Sequence, residues 1–173
     1  MNAILPRRAL SGMLADIAAA AATPLLDRDR QVAAAIAPHV ADPELLRGIA
    51  CPCGADRYTR HLLHENREAG YAVVAIVWRP GQMSPVHGHR TWCGLGVHRG
   101  VLTETFFRIP ESATAPVPAA CVQRRAGDIS HAPADPGAIH RIANLGVEDA
   151  VSIHCYGVGY DSFGDGVNHV WAV

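Results

Sequence analysis

Two hydrophobic periods divide the chain. Up to about residue 50 the apolar positions recur at helical spacing, first Leu10, Met13, Leu14 and Ile17, then Val32, Ile36 and Val40 after the Thr23-Pro24 break. Asp42-Pro43-Glu44 supplies an N-cap, a first-turn proline and a first-turn acid, which predicts a third short helix. From Tyr58 onward the pattern shortens. Runs over Tyr58–His64, Tyr71–Trp78, Thr91–Val97, Val101–Arg108, Ile139–Ala143 and Ala150–Tyr156 read as strands punctuated by Gly, Pro and Asp. Such regular short strands predict a mainly β fold, an antiparallel sandwich or barrel preceded by a helical segment. The Ala/Pro-rich stretch Ser112–Ala120 reads as a loop between strands, and no internal repeat is visible. At 173 residues the chain suits one domain, with helices over residues 1–50 packed on a β unit over 58–173.

Within the β portion the polar positions carry the candidate chemistry. His87 and His89 in Gly81-Gln-Met-Ser-Pro-Val-His87-Gly-His89 stand two apart, so on a strand both imidazoles leave the same face and can grip one metal ion. His140 is a third candidate ligand from a distant stretch. In Ser152-Ile-His154-Cys-Tyr156 the polar residues again alternate by two while Val151, Ile153 and Cys155 between them are apolar, the pattern of a strand whose polar face lines a pocket. Tyr58 and Arg60 share a strand face by the same rule. Three neutral imidazoles leave a divalent ion its full charge and, in an octahedral site, one open face for ligands. His39, His61, His64, His98, His131 and His169 lack such spacing and read as ordinary surface or core residues.

Charge and cysteine usage narrow the partners. The formal net charge is -1 and all 15 basic residues are arginine, with no basic patch for nucleic acid and no polybasic segment for a membrane surface. A small molecule is the expected partner, and the chain is expected to act as a monomer or small homo-oligomer. The five cysteines (Cys51, Cys53, Cys93, Cys121, Cys155) have an odd count and no framework spacing, which suits reduced thiols in a cytoplasm. Arg7-Arg8 and the Ala/Leu-rich run to Ala22 look superficially like a leader, but Asp16 interrupts the run and a helix is predicted instead. Cys51-x-Cys53 lacks the second pair that a structural zinc site needs. The glycine-rich tail Gly157–Gly166 lacks the Lys-Ser/Thr ending of a phosphate loop and is expected at the pocket mouth, contributing Tyr160 or Phe163 to its wall.

Two longer patterns support a family resemblance. Gly81-x5-His87-x-His89-x10-Gly100 resembles the first cupin motif, and Gly127-x5-Pro133-x6-His140-x3-Asn144 resembles the second with a few extra residues before its histidine. Where most cupins carry a glutamate ligand after the second histidine, this chain has Cys93, and no carboxylate occurs between His89 and Gly100. With Tyr58-Thr-Arg60 upstream and Ser152-x-His154-x-Tyr156 downstream, the stretch from Tyr58 to Tyr156 resembles the cysteine dioxygenase family of thiol dioxygenases.

That resemblance implies a cupin-type β-barrel holding non-haem Fe(II) on His87, His89 and His140, and the insertion of both atoms of O2 into a substrate sulfur to give a sulfinate. It implies that Arg60, helped by Tyr58, binds the substrate carboxylate, a task suited to a guanidinium fork that stays charged. Ser152, His154 and Tyr156 resemble the family's relay, in which serine orients histidine and histidine orients the tyrosine hydroxyl toward the metal. Cys93 matches the cysteine that in some members forms a thioether with that tyrosine, here Tyr156. L-Cysteine is the first substrate to consider, with 3-mercaptopropionate and mercaptosuccinate as alternatives within the same chemistry. Outside it stand a non-catalytic metal-binding cupin module and a three-histidine zinc or manganese hydrolase or isomerase.

Overall fold

The computed structural model describes residues 8–172, so Arg7 of the Arg7-Arg8 pair lies outside the described residues. Helix α1 spans Arg8–Ala21, a short 3-10 turn covers Leu25–Asp27, and α2 spans Arg28–Val40. Their apolar stripes turn inward as the spacing predicts, and Met13, Ile17, Val32 and Ile36 are completely buried. Each such side chain contributes about 1.5–3 kcal/mol by leaving water. Neither helix is long and apolar enough to cross a membrane.

The predicted third helix is absent. Residues 43–48 form a run of turns, with Leu45 N–H donating to the Asp42 carbonyl and Arg47 N–H to that of Glu44. Asp42 does cap, accepting the Glu44 N–H at 2.8 Å. Only a few residues separate it from Gly48, which has φ 72°, and a helix that short does not repay its nucleation. Burial of Leu45 holds the segment in its turns.

Among the described residues ten strands follow: β1 Thr59–Asn66, β2 Tyr71–Trp78, β3 His87–His89, β4 Cys93–Arg99, β5 Val101–Arg108, β6 Val117–Arg125, β7 Ile129–Ala132, β8 His140–Ala143, β9 Ala150–Tyr156 and β10 Asn168–Val170. They form two five-stranded sheets of antiparallel pairs, ordered β1-β2-β9-β4-β7 and β10-β3-β8-β5-β6, rather than one continuously hydrogen-bonded cylinder. The Ser112–Ala120 segment corrects the expectation of a loop, because β6 begins at Val117. This edge strand is largely exposed on both faces and therefore shows no alternation. Pro118 sits where the β5–β6 register shifts, a place that tolerates a missing N–H. Strands β3, β7 and β10 have three or four residues each, too few for a periodic signal.

The inner strands β2 and β9 of the first sheet are buried on both faces, which explains the unbroken apolar run of β2. Tyr71, Val73 and Ala75 meet the helices, whereas Ala72, Val74, Ile76 and Trp78 join the core between the sheets. Strand β4 divides the same way. Cys93, Leu95 and Val97 point into the fold, and Gly94 and Gly96 lie under α2. A Cβ on Gly94 would come within 2.8 Å of the Ala33 nitrogen, and one on Gly96 within 2.8 Å of Ile36 Cγ2. Bare backbone at these two positions lets the helix lie close against the sheet. Gly100 then carries the chain from one sheet to the other with φ 78°, a conformation that side chains with a Cβ rarely adopt.

Candidate metal centre

Alternation along β3 sends His87 and His89 into the space between the sheets, and the direct β3–β8 pairing places His140 opposite His87. All three are buried, and one ligand nitrogen from each lies within 4.8 Å of the others. The ring centroids stand 4.6–5.1 Å apart. Gly88 permits this arrangement, since a Cβ there would lie 2.1 Å from the Pro136 carbonyl oxygen of the loop that covers β3. Among the described residues no cysteine or carboxylate joins the cluster.

Hydrogen bonds define which nitrogen each ring presents. His87 Nδ1–H donates to the Pro85 carbonyl at 2.9 Å, and His140 Nδ1–H donates to Glu104 Oε1 at 2.8 Å. Both leave Nε2 as a lone-pair nitrogen. His140 Nε2 lies 3.3 Å from His89 Nε2, so lone pairs converge where a cation would relieve them. Burial first, then the neighbouring imidazole of His140, lowers His87 to a pKa of about 3 and holds His89 well below its ordinary 6.5. Convergent and buried, this set of three imidazoles fits a divalent metal ion.

Glu104 was not singled out in the sequence. It is 1% exposed, accepts from Ser130 Oγ at 3.1 Å as well as from His140, and pairs with Arg124. Burial raises its pKa, but the His140 bond and the Arg124 charge outweigh that and leave it below the ordinary 4.5. A carboxylate behind a metal-binding imidazole fixes its tautomer and raises its basicity. The available signal was alternation in β5, where Leu102, Glu104 and Phe106 occupy one face.

On β9 the polar row faces the same space. Trp78 Nε1–H donates to Ser152 Oγ at 2.9 Å, Ser152 Oγ meets His154 Nε2 at 2.8 Å, and His154 Nδ1 meets the Tyr156 hydroxyl at 3.0 Å. With Ser152 Oγ–H donating to His154 Nε2, His154 Nδ1–H donates to the Tyr156 oxygen, and the Tyr156 proton stays available. Burial first, with the Arg60 charge next, depresses His154 to about 3, so it is neutral. Cys93 is the register partner of Tyr156 across β4 and β9, so the two side chains leave the same face of the sheet. Burial raises both groups well above their ordinary values.

Arg60, on β1 of the same sheet, and Tyr58 just before it also line the pocket. The Arg60 guanidinium donates to the Tyr58 hydroxyl at 3.1 Å and lies 5.2 Å from its ring centroid, while Tyr58 stacks on Trp78 at 4.4 Å. Arg60 Nε is buried without a partner. The inner cavity measures about 20 Å³, room for roughly one water. Tyr58 and Arg60 also line an outer vestibule of about 770 Å³ whose wall includes Tyr160 and Phe163 from the glycine-rich tail.

Other candidates sit elsewhere. Asn144 faces no ligand but donates to the Trp78 and Glu148 carbonyls at 2.8 Å, tying the turn between β8 and β9. Cys51 and Cys53 are free thiols apart from the cluster. His39, His98 and His131 clasp the helical layer, through Asp16, the Val40 carbonyl and Asp29 respectively.

The chain is similar to known proteins in sequence and in fold. A sugar phosphate isomerase of the cupin superfamily from Silicibacter pomeroyi is 18% identical, over 58% of this chain and 59% of that one, with a TM-score of 0.45. Less than two thirds of that relative is therefore spanned. A conserved protein with a double-stranded β-helix domain from Klebsiella pneumoniae is 22% identical, over 63% and 84%, with a TM-score of 0.46. An oxalate oxidase in complex with glycolate is 19% identical, over 62% and 56%, with a TM-score of 0.47. The family pattern described as cysteine dioxygenase type I matches residues 13–164, from the first helix past the last pocket-lining residue of β9. By that match over most of its length, the chain belongs to the cysteine dioxygenase type I family.

Proposed function

We propose that the protein is a ferrous thiol dioxygenase that converts L-cysteine to cysteine sulfinate. The observation that carries this reading is one buried cluster of three imidazoles sharing its pocket with an arginine whose Nε has no partner. His87, His89 and His140 would hold the iron, which when bound supplies a site where the substrate thiolate and O2 meet and both oxygen atoms pass to sulfur. Arg60 binds the substrate carboxylate with its free donors, and Tyr58 holds the guanidinium in place. The small inner cavity admits a slender group such as a thiol beside the imidazoles, leaving the charged end near the vestibule.

Tyr156 works through its proton. With His154 Nδ1–H directed at its oxygen, the phenol is oriented and its O–H is free to donate into the pocket. Burial keeps it protonated at working pH. A Cys93–Tyr156 thioether fits the register and would lock the ring; the C–S bond forms as the thiol and a ring carbon each lose a hydrogen, with O2 as the two-electron oxidant.

The test is oxygen consumption by iron-reconstituted protein with cysteine, 3-mercaptopropionate and mercaptosuccinate side by side. The reading requires uptake with cysteine, one O2 per sulfinate formed, that disappears in His87→Ala. A faster rate with another thiol reassigns the substrate, and the absence of thiol-dependent uptake overturns the enzyme. A zinc or manganese hydrolase would show activity with those ions and none with iron.

A further inference from the structure

We infer that Asn168 is a positioning residue for His89, its side-chain oxygen accepting the His89 Nδ1–H when the ring's other nitrogen holds a metal. This rests on the reading of the three histidines as a metal site. Two of them have an outward Nδ1 partner, the Pro85 carbonyl for His87 and Glu104 for His140. The third does not: His89 Nδ1 is buried with no hydrogen bond. Asn168 Oδ1 is likewise buried and unpartnered. The two residues are opposite one another in the β10–β3 register, and both line the pocket. Side chains so paired leave the same face with Cβ atoms about 4.5–5.5 Å apart, within reach of one hydrogen bond after a rotamer change.

Complementary needs make the assignment specific. A neutral imidazole that coordinates through Nε2 carries its proton on Nδ1 and needs an acceptor, whereas an amide oxygen needs a donor. One bond would satisfy both orphans. Strand β10 is anchored well enough to serve: Arg90 N–H donates to the Val167 carbonyl at 2.8 Å, Trp171 N–H to Val86 at 2.9 Å, and Trp171 Nε1–H to Pro136 at 3.2 Å. The last pairing strand, otherwise remote from the chemistry, thereby sets the tautomer and tilt of one ligand.

Co(II) titration of the metal-free protein, followed by its visible absorption, tests this with Asn168→Leu and Asn168→Asp. Removing the acceptor should weaken Co(II) binding about 10–100-fold, the usual effect of losing a partner behind a ligand, while the aspartate keeps an acceptor oxygen and binds at least as tightly as the native protein. In the Zn(II)-loaded protein the His89 Nδ1–H resonance should be protected from exchange and lose that protection in Asn168→Leu. Equal Co(II) affinity of the native and leucine proteins, with binding abolished in His140→Ala, overturns the role of Asn168 and leaves the metal site standing. Failure of the native protein to bind Co(II) overturns the metal site itself.

Discussion

Replacing Glu104 by glutamine keeps the side-chain volume and removes one buried charge. Glu104 Oε1 now accepts from both His140 and Ser130, and its second oxygen pairs with Arg124. A glutamine has only one acceptor oxygen, so its NH2 must face either the imidazole N–H or the guanidinium. Breaking a buried pair on one side costs about 3–5 kcal/mol, and partial exposure of the Arg124 side chain, 20%, favours the lower end. For a chain of this size about 3 kcal/mol lowers Tm by about 6–12 °C. Metal affinity should fall about 10–100-fold as His140 loses its orienting carboxylate. The pH dependence supplies an internal control. Because the folded carboxylate has a pKa below its ordinary 4.5, its contribution is complete above that value and is lost as pH falls through the folded pKa. Urea unfolding of the metal-free native and Glu104→Gln proteins should therefore differ near neutrality and converge in acid. Equal stability near neutrality, or a deficit that persists in strong acid, would refute the reasoning.

Four further outcomes are expected. Arg60→Gln should raise KM for cysteine by about 30-fold or more, the effect of truncating one partner of a desolvated charge pair, with a smaller change in kcat; steady-state kinetics giving an unchanged KM would show that Arg60 does not hold the substrate. In His154→Gln the slope of stability against pH should flatten between about 3 and 6.5, because a neutral buried histidine with a depressed pKa stabilises the fold above 6.5 and loses that contribution on acidification; parallel chemical-denaturation curves would count against it. Gly96→Val should lower stability by about 1–3 kcal/mol through overpacking against Ile36 and Val40, read as a fall in Tm without loss of the three-histidine site. After turnover with thiol and O2, intact mass should show the loss of two hydrogens in the native protein and not in Cys93→Ser; an unchanged mass removes the Cys93–Tyr156 thioether.

Much of the site was legible because strand alternation is a strong local rule. His87-x-His89 and Ser152-x-His154-x-Tyr156 reveal shared faces from spacing, since successive strand side chains must leave opposite sides. The apolar run of β2 and the helical stripes around Ile17 and Ile36 are equally local, as each follows from the period of one element and the cost of leaving apolar surface in water. The helical expectation at Asp42-Pro43-Glu44 failed for the complementary reason: good capping chemistry does not make a helix when the segment ends before cooperativity repays nucleation.

What tertiary structure alone decided is which distant residues meet. Pairing of β3 with β8 brings His140 beside His87, and pairing of β4 with β9 brings Cys93 beside Tyr156. The carboxylate behind His140, the tryptophan behind Ser152 and the asparagine across from His89 lie 36, 74 and 79 positions from their partners, the last by subtraction of the two residue numbers. No periodicity links positions so far apart, because their proximity arises from sheet register. The sequence by itself determined which faces are polar and which residue types they offer; the packing of two sheets determined that those faces enclose one pocket.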